Sequence, residues 1–302
     1  MTQIPASVPT PVTLRASLWM LGAVVSFTSM AVAARAVSLS LDTFEIMTYR
    51  SLTGVVIVLV VGRMTNSLGQ ISAQQFRLHG LRNLAHFIGQ NLWFFAITMI
   101  PLAQLFALEF TTPIWALLFA PLILSEKITR RALIVAAIGF AGILIVARPS
   151  PDGLNAGILA AAACAVGFGL TAVLTRRLTR TDTILSILFW LTVMQAVFGL
   201  VCGLADGEMA LPTATTAPFL VVIGCAGLLA HFCLTTALSL APAGVVMPID
   251  FLRLPLIAII GMLFYGEGFD IYVLLGGGVI FAANYANILS GNRSRAESVA
   301  KL

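Results

Sequence analysis

Charge is what this sequence lacks most. Only 10% of its 302 residues are Asp, Glu, Lys or Arg, against about 25% in soluble globular domains. With 59% hydrophobic residues and a mean hydropathy of +1.01, a water-soluble fold of this length has no way to cover its apolar surface. Cysteine is scarce too. Cys164, Cys202, Cys225 and Cys233 each sit in an apolar run without paired spacing, so they read as small buried hydrophobes and not as a disulfide or metal set. The three histidines have no ligand spacing, and neither a metal nor a cofactor is expected. No G-x-x-x-x-G-K-[ST], H-E-x-x-H or G-x-S-x-G motif is present, which argues against nucleotide-driven pumping and against the commonest hydrolytic sites. The first 13 residues, MTQIPASVPTPVT, carry no charged side chain and no A-x-A-like cleavage site. They read as a short cytoplasmic tail and not as a cleaved signal.

Long apolar runs are what is present instead. About 20 apolar residues suffice to cross a bilayer, and ten such runs are predicted as helices: 14–36, 44–62, 79–98, 101–123, 131–148, 155–175, 183–204, 216–238, 242–264 and 270–290. Alternating sides from a cytoplasmic N-terminus places Arg15, Arg63, Arg77, Arg82, Lys127, Arg130, Arg131, Arg176, Arg177, Arg180, Arg293, Arg295 and Lys301 inside. Only Arg35 and Arg148 fall outside, with Arg50 and Arg253 within spans. This bias fixes the orientation. It also accounts for the net charge of +5 through anionic lipid headgroups, with no need for nucleic acid. The expected fold is therefore an all-α integral membrane bundle in the inner (cytoplasmic) membrane, with both termini cytoplasmic.

The chain also repeats itself. At an offset of 141 residues, Pro101 falls on Pro242, Glu109 on Asp250, Phe110 on Phe251 and Glu126 on Glu267, and Pro113 and Pro255 agree within one residue. Each half has five spans. An odd number forces the second half to enter the membrane from the opposite side, so the halves are inverted repeats, as in many secondary transporters. The expected units are 14–148 and 155–290, with tails 1–13 and 291–302. The segment PLAQLFALEFTTPIWALLFAPLILSEKITRRALIVAAIGFAGILIVARP (101–149) resembles the end of an EamA-type repeat of the drug/metabolite transporter superfamily, with its Pro in span four, its Glu at the cytoplasmic end, a basic loop and a Gly-containing fifth span. FEIMTYRSLTGVVIVLV (44–60) resembles the second span, with its Arg at Arg50. The resemblance covers about 14–290 and implies transport of a small solute. The second repeat departs from it, carrying Trp190 where the first has Arg50, so the halves are not expected to contribute equally to a site.

Ionisable groups inside spans mark function by default. Glu109, within ALEFTTPIW, is a desolvated carboxylate suited to carrying a proton or holding a cationic group; the plain alternative is a carboxylate bonded to a neighbouring helix. Asp250 and Arg253 share a helix face three residues apart. Two readings stand for them, a mutually neutralising structural pair and a clamp for a zwitterionic solute. Pro242, Pro248 and Pro255 surround them, and prolines break helices. Freed backbone groups at such depth are tolerated only in protein or against a cavity, so this stretch is expected to line one. Arg50 reads as an anchor of span two or a solute contact. His231 and its repeat mate Gln90, together with His86, read as interhelical hydrogen-bonding groups or relays. Trp93 and Trp115 are the aromatic candidates for stacking on a flat solute, while Glu126 and Glu267 end spans four and nine as interface caps or gates. The glycines at 139–142 and 276–278 permit close helix approach, within a repeat or against a second copy as a homodimer. The expected function is alternating-access transport of a small amino-acid-like or aromatic metabolite, with a proton as candidate coupling ion. An intramembrane enzyme using Glu109 and Asp250, a lipid-handling transporter and a channel are the competing classes.

Overall fold

The computed structural model describes residues 11–125, 130–148, 155–205, 207, 209–240, 249–250 and 252–299. Glu126, Pro242, Pro248 and Phe251 lie outside these. Among the described residues the chain is helical without a strand: α1 (Pro11–Val37), α2 (Thr43–Met64), α3 (Phe76–Met99), α4 (Leu102–Glu109), α5 (Thr112–Leu124), α6 (Arg130–Ala147), α7 (Ala156–Leu178), α8 (Ile184–Ala205), α9 (Ala217–Leu240), α10 (Arg253–Tyr265) and α11 (Ile271–Val299). The start of α2 is set locally. Asp42 caps it by accepting from the Glu45 amide at 2.8 Å, and Glu45 reaches back to the Asp42 amide at 2.8 Å. This reciprocal arrangement satisfies two donors that a helix end otherwise leaves free. Asn155 caps α7 in the simpler way, through the Ile158 amide.

Among the described residues six helical segments are long and apolar enough to cross a membrane: Leu14–Val37, Thr43–Met64, Leu102–Leu124, Ala156–Leu178, Ile184–Ala205 and Ala217–Leu234. Helix α3 has the length but not the apolarity, and the reason is visible in its two faces. His79, Arg82, Asn83, His86, Gln90 and Trp93 are buried, at helical spacing, while Leu84, Ile88 and Phe95 on the opposite side are 48%, 50% and 41% exposed. Polar inside and apolar outside is the reverse of a soluble helix. It is what lipid requires.

One expected span is not a single helix. The 101–123 run divides at Phe110–Thr111 into α4 and α5. A regular helix would have the nitrogen of residue 113 donate to the carbonyl of Glu109, but Pro113 has no N–H. The Thr112 hydroxyl takes its place and donates to that carbonyl at 2.6 Å. Arg82 also departs from expectation. Counted with the inside charges though it falls within the expected 79–98 span, it is 4% exposed within α3.

Helix pairing follows the five-span repeat. Helix α1 packs along α9, and its repeat counterpart α7 packs along α3; α2 pairs with α8, α4 with α10 and α6 with α11. Exchanging the halves thus maps each of these pairs onto itself or onto another. The α6–α11 contact rests on glycine. A Cβ at Gly142 would lie 2.9 Å from the Gly276 carbonyl, and one at Gly276 would lie 2.7 Å from the Gly142 carbonyl. Gly142 and Gly276 therefore join the two halves, whereas Gly139 lies against Ile114 and Gly277 against Leu254, each within its own repeat as expected. Replacing Gly276 by Ala should lower the unfolding free energy by about 1–3 kcal/mol through overpacking. Gly278→Ala, whose added Cβ meets nothing within 4 Å, should be neutral or gain up to about 1 kcal/mol of helix propensity. Thermal unfolding in the same detergent checks both.

Candidate functional site

The break between α4 and α5 leaves Glu109 as the last residue of a half-helix, and α10 begins at Arg253, next to the matching position in the other half. The two meet. Arg253 donates to Asp250 Oδ2 at 2.6 Å and lies 3.5 Å from Glu109 Oε1. Its guanidinium sits over three rings, Phe27 at 4.8 Å, Phe106 at 5.3 Å and Phe110 at 5.1 Å, an arrangement in which each ring face attracts the cation. Trp93 donates from Nε1 to Glu109 Oε2 at 2.7 Å. Asp250 Oδ1 and Arg253 Nε are buried without a partner. Two carboxyl groups facing one guanidinium leave one of them without a counter-charge of its own. Of the aromatic candidates, Trp93 belongs to it. Trp115 does not: it packs edge-on to Phe140, at 5.1 Å between centroids, and against Gly169.

A second group of polar side chains lies between α2, α3, α8 and α9. Arg50 donates to Gln90 Oε1 and approaches Met47 Sδ at 3.5 Å. His231 stands edge-on to Phe27, with ring centroids 5.5 Å apart, and 6.3 Å from His86. Asn83 donates to the Trp190 carbonyl at 3.1 Å, and Gln195 donates to the Asn83 carbonyl at 2.7 Å. Sequence reasoning singled out Arg50, Gln90, His86 and His231 but missed Arg82, Asn83 and Gln195. The 79–82–83–86–90–93 period of α3 was the signal for the first two.

Both ends of the bundle are held by contacts between the halves. At one end Glu267 accepts from the Leu102 amide and lies 3.6 Å from Arg35, while Arg35 also donates to the carbonyls of Ile97 and Ile100 and Tyr265 donates to the Val32 carbonyl at 3.1 Å. Burial pushes the Glu267 carboxyl above its ordinary range, with the Leu102 amide and Arg35 pulling the other way. At the opposite end His79 and Asp182 meet at 2.6 Å, Arg82 donates to Thr175 at 3.1 Å and Trp190 donates to the Ser72 carbonyl at 2.7 Å. No group of three metal-binding side chains occurs among the described residues.

The sequence profile of the EamA-like transporter family matches residues 14–148 and again 155–289. The chain belongs to that family. As an EamA-like protein it is a multi-pass protein of the cell membrane and a transporter of small metabolites. Its similarity to curated proteins extends over most of its length. A riboflavin transporter of Brucella anthropi is 32% identical over 218 residues, 71% of this chain and 77% of that protein. An S-adenosylmethionine uptake transporter of Rickettsia bellii is 25% identical over 283 residues, 93% of this chain and 96% of its own. A crystal structure at 17% identity superposes with a TM-score of 0.65, covering 92% of this chain and 98% of that one, which shows a shared fold.

The charge count at Arg253 has a measurable consequence. Removing a buried guanidinium strands two carboxylates, and breaking a buried ion pair in this way costs about 3–5 kcal/mol. Arg253→Met should lose stability of that order. Adding Glu109→Gln and Asp250→Asn should recover most of it, since no unpaired charge then remains. Thermal unfolding of the single and triple variants measures the difference.

Proposed function

We propose that this EamA-like protein is a secondary transporter that carries a small solute with a flat nitrogen heterocycle across the cytoplasmic membrane by alternating access, without nucleotide hydrolysis or other catalysis. The bundle crosses the membrane ten times, as inverted repeats 14–148 and 155–290 with cytoplasmic termini. The half-exchanging helix pairs and the inside bias of the basic residues support this topology. The observation that carries the functional reading is the Arg253 centre: a cation held between three rings and two carboxylates, where the end of α4 in one half meets the start of α10 in the other. Such a centre offers a solute both stacking faces and charged hydrogen-bond partners. Riboflavin and S-adenosylmethionine, named for the two relatives, share a flat nitrogen heterocycle, and the same class fits here.

In this scheme the solute enters beside Trp93 and takes over its hydrogen bond to Glu109. When the solute leaves, one carboxyl group of the centre is again without a counter-charge, and a proton taken up at Glu109 neutralises it. Glu109→Gln, fixed in the neutral form, should lose proton-driven accumulation of labelled riboflavin in proteoliposomes by tenfold or more while keeping solute exchange at equal concentrations. Equal loss of both would reduce Glu109 to a binding group. Full retention of both would remove it from the site.

The contacts at the two ends act as alternating latches. Opening at the Arg35 end requires parting Arg35 and Tyr265 from their partners in the other half. Cys164, 0% exposed and electrostatically close to Glu109, reports such opening. In a chain with Cys202, Cys225 and Cys233 replaced by alanine, Arg35→Gln should raise the rate at which an external, membrane-impermeant maleimide modifies Cys164 by severalfold. The effect of pH follows by linkage. The closed latch holds the Glu267 carboxyl above its ordinary range, and a water-exposed Glu267 relaxes toward that range. The closed end therefore binds the proton more tightly, and acidification between the two values should slow the modification in the unsubstituted latch.

A further inference from the structure

Among the described residues the guanidinium groups of Arg82 and Arg253 are buried and that of Arg50 is partly buried, and the three are compensated unequally. Arg253 faces two carboxylates. Arg50 and Arg82 face none: among the described residues neither has a carboxylate within 4 Å. Their bonds go to neutral acceptors instead, Gln90 for Arg50 and Thr175 and Asn83 for Arg82. Neutral acceptors satisfy N–H groups but leave the charge in place, and a buried ion without a counter-charge costs several kcal/mol. The buried carboxylate at the Arg82 end, Asp182, is bonded to His79 at 2.6 Å. His86 and His231 lie within electrostatic reach of both arginines, and a histidine cannot supply negative charge.

The same region holds polar atoms with nothing to bond. Arg50 Nε is buried without a partner, and so are both ring nitrogens of His86. Gln195, 1% exposed, must turn its amide nitrogen to the Asn83 carbonyl, which leaves its Oε1 without a donor. Arg50, Gln195 and His231 line one cavity, with Ser51 and Thr192 on its walls. Arg50 and Gln195, each with an unpartnered polar atom, thus line a small internal space walled also by Gly54, Leu191, Gly224, Gly227 and Leu228, with Arg82 outside that wall, and an anionic solute group supplies the partner that Arg50 Nε lacks.

We propose that Arg50 and Arg82 hold an anionic group of the transported solute, a carboxylate or a phosphate, while its heterocycle occupies the Trp93–Glu109 centre. The inference rests on the heterocycle reading above and narrows it: the solute is acidic. Guanidinium groups suit both anions, because their forked N–H groups match two oxygens at once.

The test compares solutes that differ only in the anionic group, using the full chain in lipid nanodiscs. The pairs are riboflavin 5′-phosphate against riboflavin, and S-adenosylmethionine against its decarboxylated form. The anionic member should bind at least tenfold more tightly. Arg50→Gln and Arg82→Gln should each lower its affinity tenfold or more and close the gap within the pair. Arg50→Lys and Arg82→Lys, which keep the charge, should retain much of the preference and show that lost charge, not lost folding, is responsible. Equal binding within both pairs, or a preference that survives both glutamine substitutions, would overturn the inference and leave the heterocycle reading standing. If no member of either pair binds, the heterocycle reading falls, and acetate and inorganic phosphate alone decide the arginines. A thermal shift present in the native chain and absent from Arg50→Gln and Arg82→Gln upholds the anion site, and equal shifts, or none, reject it.

Discussion

A guanidinium cannot rest inside a bilayer without partners, and much of this bundle is organised around meeting that requirement at Arg253. Helix α10 starts at Arg253, so the side chain leaves the helix end together with Asp250 one turn earlier. Its second carboxylate comes from the other half and reaches it only because α4 stops at Glu109. That stop depends on Pro113, whose missing N–H is made good by the Thr112 hydroxyl. The three rings that cover the cation come from α1, α4 and the α4–α5 junction. A lone proline in an apolar run thus ends in a charged centre shared by both halves.

What was legible in the sequence follows the same physics. Membrane class, repeat and family could be read because lipid imposes long apolar runs and because Glu109, Asp250 and the prolines recur at one offset. The meeting of Glu109 with Asp250 and Arg253 was anticipated as a shared site, and the structure places the three in one cluster. The choice between Trp93 and Trp115 was not legible. In a soluble helix the polar face marks the outside, but here lipid-facing and packed faces are both apolar, and a tryptophan fits either. Arg82 was misread for a related reason. Counting basic residues by membrane side assigns Arg82 to the inside although it falls within the expected 79–98 span, and only the buried stripe of α3 shows that its side chain packs within the bundle. Glycine spacing revealed close approach but not the partner helix. Only the fold shows that Gly142 meets Gly276 across the halves.

The contacts that close the two ends differ from the centre in kind. They are single hydrogen bonds and ion pairs near the ends of helices; the Arg35–Glu267 pair is partly exposed, and such pairs contribute about 0–1 kcal/mol each, whereas the His79–Asp182 pair at the opposite end is buried. A few of them make a closure that thermal motion can undo. The centre and the glycine-based α6–α11 contact are buried and closely packed, and they do not yield cheaply. In the proposed cycle this contrast determines which parts move. The ends open in turn, while the helix pairs that exchange under the repeat shift as units about a retained core.

Charge is also distributed unevenly along the proposed solute path. The centre at Glu109, Asp250 and Arg253 has two carboxyl groups to one guanidinium. The region at Arg50 and Arg82 holds two guanidinium groups, neither with a described carboxylate within 4 Å. A protein built only for stability would pair these groups with each other or replace them with apolar side chains, which is often neutral or favourable for buried ions. Keeping them apart stores an unsatisfied dipole inside the membrane. A solute with a hydrogen-bonding heterocycle at one end and an acidic group at the other completes both poles at once, whereas a solute with only one of these completes half. Selectivity on this view comes from what the empty protein leaves unpaired, because unmet charge in a low-dielectric interior favours a solute carrying the matching group.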